Sequence, residues 1–189
     1  MATGSEERAV EDVIGRRDER ALVRSAQMGS EQALETLYRS HWPRSRRAAY
    51  LIVHDAAASE DIAQEAFLAA VRALDRFDRR RPFGPWLHRI VVNRAIDWAR
   101  RRKLRGEVAV DESHPQLAIT GADSAANPGF GEDVAQALRA LPPEQRALIV
   151  LRYLLDYTPG EIAAMLGLPR GTVNSRLRRG LDRLEGELR

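Results

Sequence analysis

Apolar residues recur along this chain at spacings of three and four, and no stretch of useful length alternates in the manner of a strand. The pattern predicts an all-α protein. Residues 1–17 are charged and aperiodic and are expected to form a flexible N-terminal tail. Helices begin at Asp18, with breaks expected at Gly29-Ser30, at Pro43 and at His54-Asp55. Ser59 reads as an N-cap, with Glu60 and Asp61 in the first turn, where the helix dipole favours anions. That helix should run to about Leu74. Two prolines and a glycine between Arg79 and Pro85 predict a loop. The next helix should run from about Trp86 to Lys103, burying Leu87, Ile90, Val91, Ala95 and Trp98, with Asp97 paired to Arg101 one turn on.

From Gly106 to Gly131 the periodicity stops. This stretch holds prolines, glycines, small residues and acids but no basic group, the composition of an interdomain linker. Its 26 residues have an extended limit of roughly 90 Å. The expected organisation is therefore two small helical domains, at 18–105 and 133–189, joined by a flexible acidic linker at 106–132. Helices resume near Asp133, and Pro142-Pro143 opens another.

The second domain carries the sharpest local signal. Thr158 can cap, Pro159 suits the first helical position, Glu161 completes a capping box, and Gly167 suits a left-handed C-terminal turn. A second helix follows from Arg170, with Val173, Leu177, Leu181, Leu184 and Leu188 as its apolar seam. Two short helices joined by a glycine turn predict a helix-turn-helix, whose second helix is shaped for a DNA major groove. Arg170, Thr172, Ser175, Arg176 and Arg179 lie off the seam and are candidate duplex contacts. An ordinary helical hairpin with a solvated Arg face is the plainer alternative.

Charge changes the picture more than composition does. The net charge is only +3, but residues 76–105 hold 11 basic and 2 acidic side chains, whereas residues 106–132 hold five acids and no base. A concentrated cationic field suits a polyanion partner. Here Phe77, Arg79-Arg80-Arg81 and Phe83 precede a helix whose Trp86, Arg89, Asn93, Asp97 and Arg100 share a face. Aromatic rings, arginines and an amide together describe a reader of single strands: bases stack on rings while Arg tracks phosphate. Core packing of the aromatics and a solvated charge run are the competing readings. On the preceding helix Ala63, Phe67, Ala70 and Leu74 face inward, and Asp61, Gln64, Glu65 and Leu68 share the opposite side.

Several classes are disfavoured. The 189 residues include no cysteine, no apolar run long enough to span a membrane, and no apolar N-terminal stretch of signal-peptide type. A cytoplasmic protein without membrane insertion is expected. His41, His54, His88 and His114 show no metal-ligand spacing, and no phosphate-binding loop, nucleophile elbow or dinucleotide fingerprint is present. No cofactor, metal or enzymatic activity is expected.

Four stretches carry a family resemblance. Asp61-Ile62-Ala63-Gln64-Glu65-Ala66-Phe67 and Trp86 to Asp97 resemble consecutive motifs of bacterial sigma factors of the extracytoplasmic function (ECF) group, in the sigma-70 family. Leu141 to Arg146 and Gly171 to Leu177 resemble the start and the recognition helix of that family's last domain. The resemblance implies that Asp61, Gln64, Glu65 and Leu68 bind the clamp helices of the largest subunit of core RNA polymerase, with a further contact to its flap. It implies that the Phe77–Phe83 loop and the Asn93 face melt and hold the minus-10 element, and that the last helix reads the minus-35 element. It also implies a separate anti-sigma factor and a linker threading toward the RNA exit path. Pro169, where such motifs often place a capping Ser or Thr, and the unusually basic Arg79-Arg80-Arg81-Pro82 depart from the pattern. The alternative is a two-domain regulator binding duplex operator DNA without polymerase. It would need an effector pocket or a dimer interface, and the sequence signals neither.

Overall fold

The structure, a computed structural model, describes residues 15–104 and 131–188. The described residues are helical, with no strand among them. Four helices form the first half: α1 (Arg16–Gln27), α2 (Glu31–Val53), α3 (Ala56–Ala73, followed by a 3₁₀ turn at Leu74–Arg76) and α4 (Phe83–Leu104). The second half holds α5 (Glu132–Leu138), α6 (Pro143–Ile149, continued by a π turn at Val150–Leu154), α7 (Pro159–Leu166) and α8 (Arg170–Glu187). Nearly all of the expected tail and of the expected linker falls outside the described residues; the first helix starts at Arg16, two residues before the expected Asp18, so Arg16 and Arg17 belong to α1 and not to a tail.

The breaks at Gly29-Ser30 and His54-Asp55 are present. Ser30 caps α2 by accepting from the Ala33 amide, and His54 ends α2 in the left-handed region at φ 54°. Pro43 does not break the chain; it sits inside α2. A mid-helix proline costs about 3 kcal/mol. Here its ring is exposed, while Leu37 before it and Ala48, Ala49, Leu51 and Ile52 after it are buried. Packing on both arms outweighs the lost hydrogen bond. Ser59 is not a cap either. The left-handed turn at His54 leaves Asp55 extended, so Asp55 caps α3 through the Ala58 amide, and the buried Ser59 hydroxyl donates to Ala56 O. α4 starts at Phe83, three residues before the expected Trp86.

Along α4, Leu87, Val91 and Ala95 are buried as expected, while Ile90 and Trp98 are half-buried. Asp97 pairs with Arg100, not Arg101: its Oδ1 lies 3.9 Å from Arg100 Nη1, whereas Arg101 Nε donates to the Asp97 backbone oxygen.

The two halves are docked on one another. α2 and α4 pack against α5, α6, the π turn and α7. One buried cluster joins Ile52, Val92 and Ala95 to Leu138, Leu148 and Leu151. A second cluster, Val23, Leu37, Phe67, Leu74, Phe77, Phe83 and Leu87, belongs to the first half alone. Polar contacts stitch the seam between the halves: Arg146 Nη1 donates to Ile52 O, and the Tyr157 hydroxyl hydrogen-bonds His88 Nδ1 at 2.7 Å.

Candidate nucleic-acid and protein interfaces

The helix-turn-helix forms as its local chemistry requires. Thr158 Oγ1 accepts from the Glu161 amide, the Glu161 carboxylate accepts from the Thr158 amide, and Gly167 ends α7 at φ 66°. Val173, Leu177 and Leu184 anchor α8 in the core; Leu181 is half-buried and Leu188 is exposed. Arg170, Ser175 and Arg179 are exposed, and Thr172 and Arg176 half-exposed. Two of these groups are folded onto their own helix: Ser175 Oγ donates to Thr172 O, and Arg179 Nε to Ser175 O. Pro169 precedes α8 without a side-chain cap.

The basic loop is built differently from the expectation. Phe77 and Phe83 are 8% and 3% exposed and meet edge to face at 5.9 Å. Their faces are spent on the core, so neither stacks on a base in this state. They form the foot of a short exposed loop. Within it Arg80 N donates to Asp78 Oδ1 and Arg81 N to Asp78 O, which projects Arg79, Arg80 and Arg81 into solvent. Trp86 lies 4.5 Å from Phe77 between ring centroids and stays half-exposed, leaving it as the ring nearest the loop that a base can reach. Arg89 and Asn93 are exposed on the same side of α4. Arg100 is exposed but engaged, donating from Nε to Glu144 Oε1 at 2.7 Å.

On α3, Asp61, Gln64, Glu65 and Leu68 share the solvent face, and Leu68 is 48% exposed. Asp61 and Glu65 form one lip of a cleft of about 580 Å³, whose other lip is Arg94, Trp98 and Arg101 of α4. Glu65 Oε2 accepts from Arg94 Nη1 at 2.6 Å. Trp98 lines this cleft, with Arg102 above its ring at 5.1 Å.

Sequence reasoning missed the seam. Glu144, at the start of α6, faces Arg100 from the first half and feels Arg176 from α8. Burial would raise its carboxyl, but the Arg100 hydrogen bond and the two arginine charges hold it below the usual carboxylate range. His88 is buried, and desolvation pushes its imidazole down to about 3, with His41 and Arg44 adding to the effect. His54 falls to about 2 through burial and the charges of Arg146 and Arg139. Both are neutral: His88 is buried, and His54 is half-buried with both ring nitrogens covered. His41 contacts Glu19, and His114 lies outside the described residues. Nothing in the local pattern marks Glu144, Arg146 or Tyr157 as seam residues, because the partners they meet across it lie 44 to 94 residues away.

Comparisons with known proteins match this division. The sigma-70 region 2 profile matches residues 37–105, and the sigma-70 region 4 profile matches residues 131–184. The chain is 31% identical over 177 residues to the ECF RNA polymerase sigma factor SigW of Bacillus subtilis, covering 88% of this chain and 95% of that protein. It is 34% identical over 174 residues to the ECF sigma factor SigM of Mycobacterium tuberculosis, covering 90% and 86%. Among solved structures it is similar to CnrH in complex with the cytosolic domain of CnrY, with a TM-score of 0.67 and 30% identity over 90% of this chain and 96% of that one. The fold is also that of RpoE solved with the anti-sigma factor NepR from Bartonella quintana, with a TM-score of 0.64, 23% identity, and coverage of 82% and 95%.

Proposed function

Because the chain belongs to the ECF group of RNA polymerase sigma factors, we propose a division of labour among the surfaces described above. The protein directs promoter-specific transcription initiation by RNA polymerase. Residues 18–105 form the polymerase-binding and minus-10 domain, 106–132 the linker, and 133–189 the minus-35 domain. Asp61, Gln64, Glu65 and Leu68 contact the clamp helices of the largest subunit, and the second domain meets the flap. Arg79, Arg80, Arg81, Trp86, Arg89, Asn93 and Arg100 engage the opened minus-10 strand, with Phe77 and Phe83 holding the loop from beneath. Arg170, Thr172, Ser175, Arg176 and Arg179 read the minus-35 duplex.

The polymerase makes the phosphodiester bonds; this chain works beside it in the cytoplasm and supplies recognition. A separate anti-sigma chain is its proposed regulator, supported by the likeness to CnrH, which was solved with the cytosolic domain of CnrY.

The observation that carries this reading is the pairing of a capped helix-turn-helix with an exposed tri-arginine loop beside Trp86 and Asn93. A regulator of duplex DNA needs only the first. Transcription in vitro with core polymerase and a randomised promoter library tests it, and should return linked minus-10 and minus-35 preferences. Asn93→Ala should impair strand opening more than initial binding, as read by permanganate footprinting on duplex and pre-melted templates. Wild-type opening on both would remove Asn93 from the mechanism.

A further inference from the structure

The loop between α3 and α4 is turned at its middle by Asp78, and both of its ends are held by one distant helix. At the entry, Gln27 Nε2 donates to Leu74 O at 2.8 Å and to Phe77 O at 3.0 Å. At the exit, the Glu19 carboxylate accepts from the Phe83 amide at 3.1 Å and the Gly84 amide at 3.3 Å. Glu19 and Gln27 are eight residues apart on α1, about 12 Å of helical rise. Val23, between them, is buried in the cluster that holds Phe77 and Phe83.

The exit contact is built with care. Glu19 is 8% exposed, and its Oε1 lies 3.1 Å from His41 Nε2. The carboxylate sits at the N-terminus of α4, where the first amides have no helical partner and the helix dipole favours an anion. Gly84 permits the approach: a Cβ there would come within 3.2 Å of the His41 ring. A buried carboxylate and a half-buried side-chain amide thus hold complementary groups, amides at one end of the loop and carbonyls at the other.

We infer that Glu19 and Gln27 are positioning residues for minus-10 recognition, with α1 acting as a template that fixes the loop carrying Arg79, Arg80 and Arg81. The inference rests on the reading that this loop contacts the opened strand. α1 lies before residue 37, where the region 2 match begins. Neither residue touches the DNA; each acts through the backbone of the loop's foot. The consequence is specificity. A loop held at both ends presents its arginines in one register, whereas a released loop still attracts phosphate but selects bases poorly.

The test uses holoenzyme assembled from the full chain and the randomised promoter library, comparing Glu19→Gln, Gln27→Ala and a triple Arg79→Ala, Arg80→Ala, Arg81→Ala variant. Glu19→Gln keeps one acceptor oxygen and should be the milder of the α1 changes. Gln27→Ala should lower discrimination at the minus-10 positions about tenfold, the size of one lost base preference. Minus-35 preference and core affinity should stay unchanged. Equal loss at both elements would mean general unfolding and would overturn the inference. So would full minus-10 discrimination in both α1 variants when the triple variant has lost it. A triple variant with wild-type opening and preference would instead refute the assignment of the loop itself.

Discussion

Acid should loosen this protein through two neutral histidines at the seam. His54 ends α2 beside Arg146 and Arg139, and His88 of α4 bonds Tyr157, with His41 and Arg44 nearby. Burial first, then the electrostatic effect of these neighbours, lowers the two imidazoles to about 2 and about 3 from an ordinary 6.5. A lowered histidine contributes stability that is fully present above the unfolded value of about 6.5 and is lost as pH falls below it, because only the unfolded chain then takes up the proton. Between pH 7.5 and 5.5 each such histidine forfeits about 1.4 kcal/mol, so the pair forfeits about 2.7 kcal/mol. Against a typical stability of about 5–15 kcal/mol that is a large share. It should lower the urea midpoint by about 1–2 M. The Glu19 carboxyl, held below its usual range, plays no part in this window, since its loss comes only at more acid pH. Urea unfolding at the two pH values measures the shift, and a His54→Gln, His88→Gln double variant should flatten it. An unchanged midpoint in the parent, or an equal fall in the double variant, would refute the reasoning.

Other expectations follow from the same geometry. Asp61→Ala combined with Glu65→Ala should weaken binding to core polymerase in a fluorescence titration while changing stability by no more than about 0.5 kcal/mol, since the Glu65–Arg94 pair is exposed. Arg176→Ala should cost about 1–3 kcal/mol of minus-35 binding and relax one promoter position; a uniform loss across sequences would mark a phosphate contact instead. Glu144→Gln should release Arg100 and Arg176 to DNA, so the affinity of the free chain for duplex should rise and its salt dependence steepen. Thr158→Ala removes the capping box of α7 and should cost about 1 kcal/mol, or about 2–4 °C in melting temperature.

What could be read from the chain alone was whatever its neighbours in sequence decide. The capping box at Thr158 and the glycine turn at Gly167 are complete within ten residues, and both are present. The outward face of Asp61, Gln64, Glu65 and Leu68 follows from helical period alone. The failures have a common cause. Pro43 obeys packing on both sides of it rather than its own ring, and Ser59 yields to Asp55 because His54 turns the chain first. Phe77 and Phe83, beside three arginines, read equally well as stacking platforms or as core. The residues that decide between these are Val23, Gln27 and Glu19 on α1, and the hydrogen bonds that tie α1 to the two ends of the loop span 47 to 65 residues. No local pattern contains that information.

The docked halves also bear on how such a protein could wait before meeting a promoter. Promoter elements at minus-35 and minus-10 lie some 25 base pairs apart, about 85 Å along duplex DNA. A compact chain of this length has a radius of gyration of only about 16 Å. One docked molecule cannot occupy both elements. The 26 residues from Gly106 to Gly131 have an extended limit of about 90 Å, just enough for that span. With one promoter element assigned to each half, as proposed above, docking and promoter reading are alternative states of the same residues. The seam opposes reading in two ways: Glu144 engages Arg100 while lying in the field of Arg176, and the shared core ties Ile52 and Val92 to Leu148 and Leu151. DNA can compete for the arginines, because phosphate offers them the same charge. It offers nothing to the apolar faces, which parting would expose to water as a contiguous patch. Covering them requires a protein surface. The free energy for opening should accordingly come from core polymerase, with the promoter acting on a chain already opened.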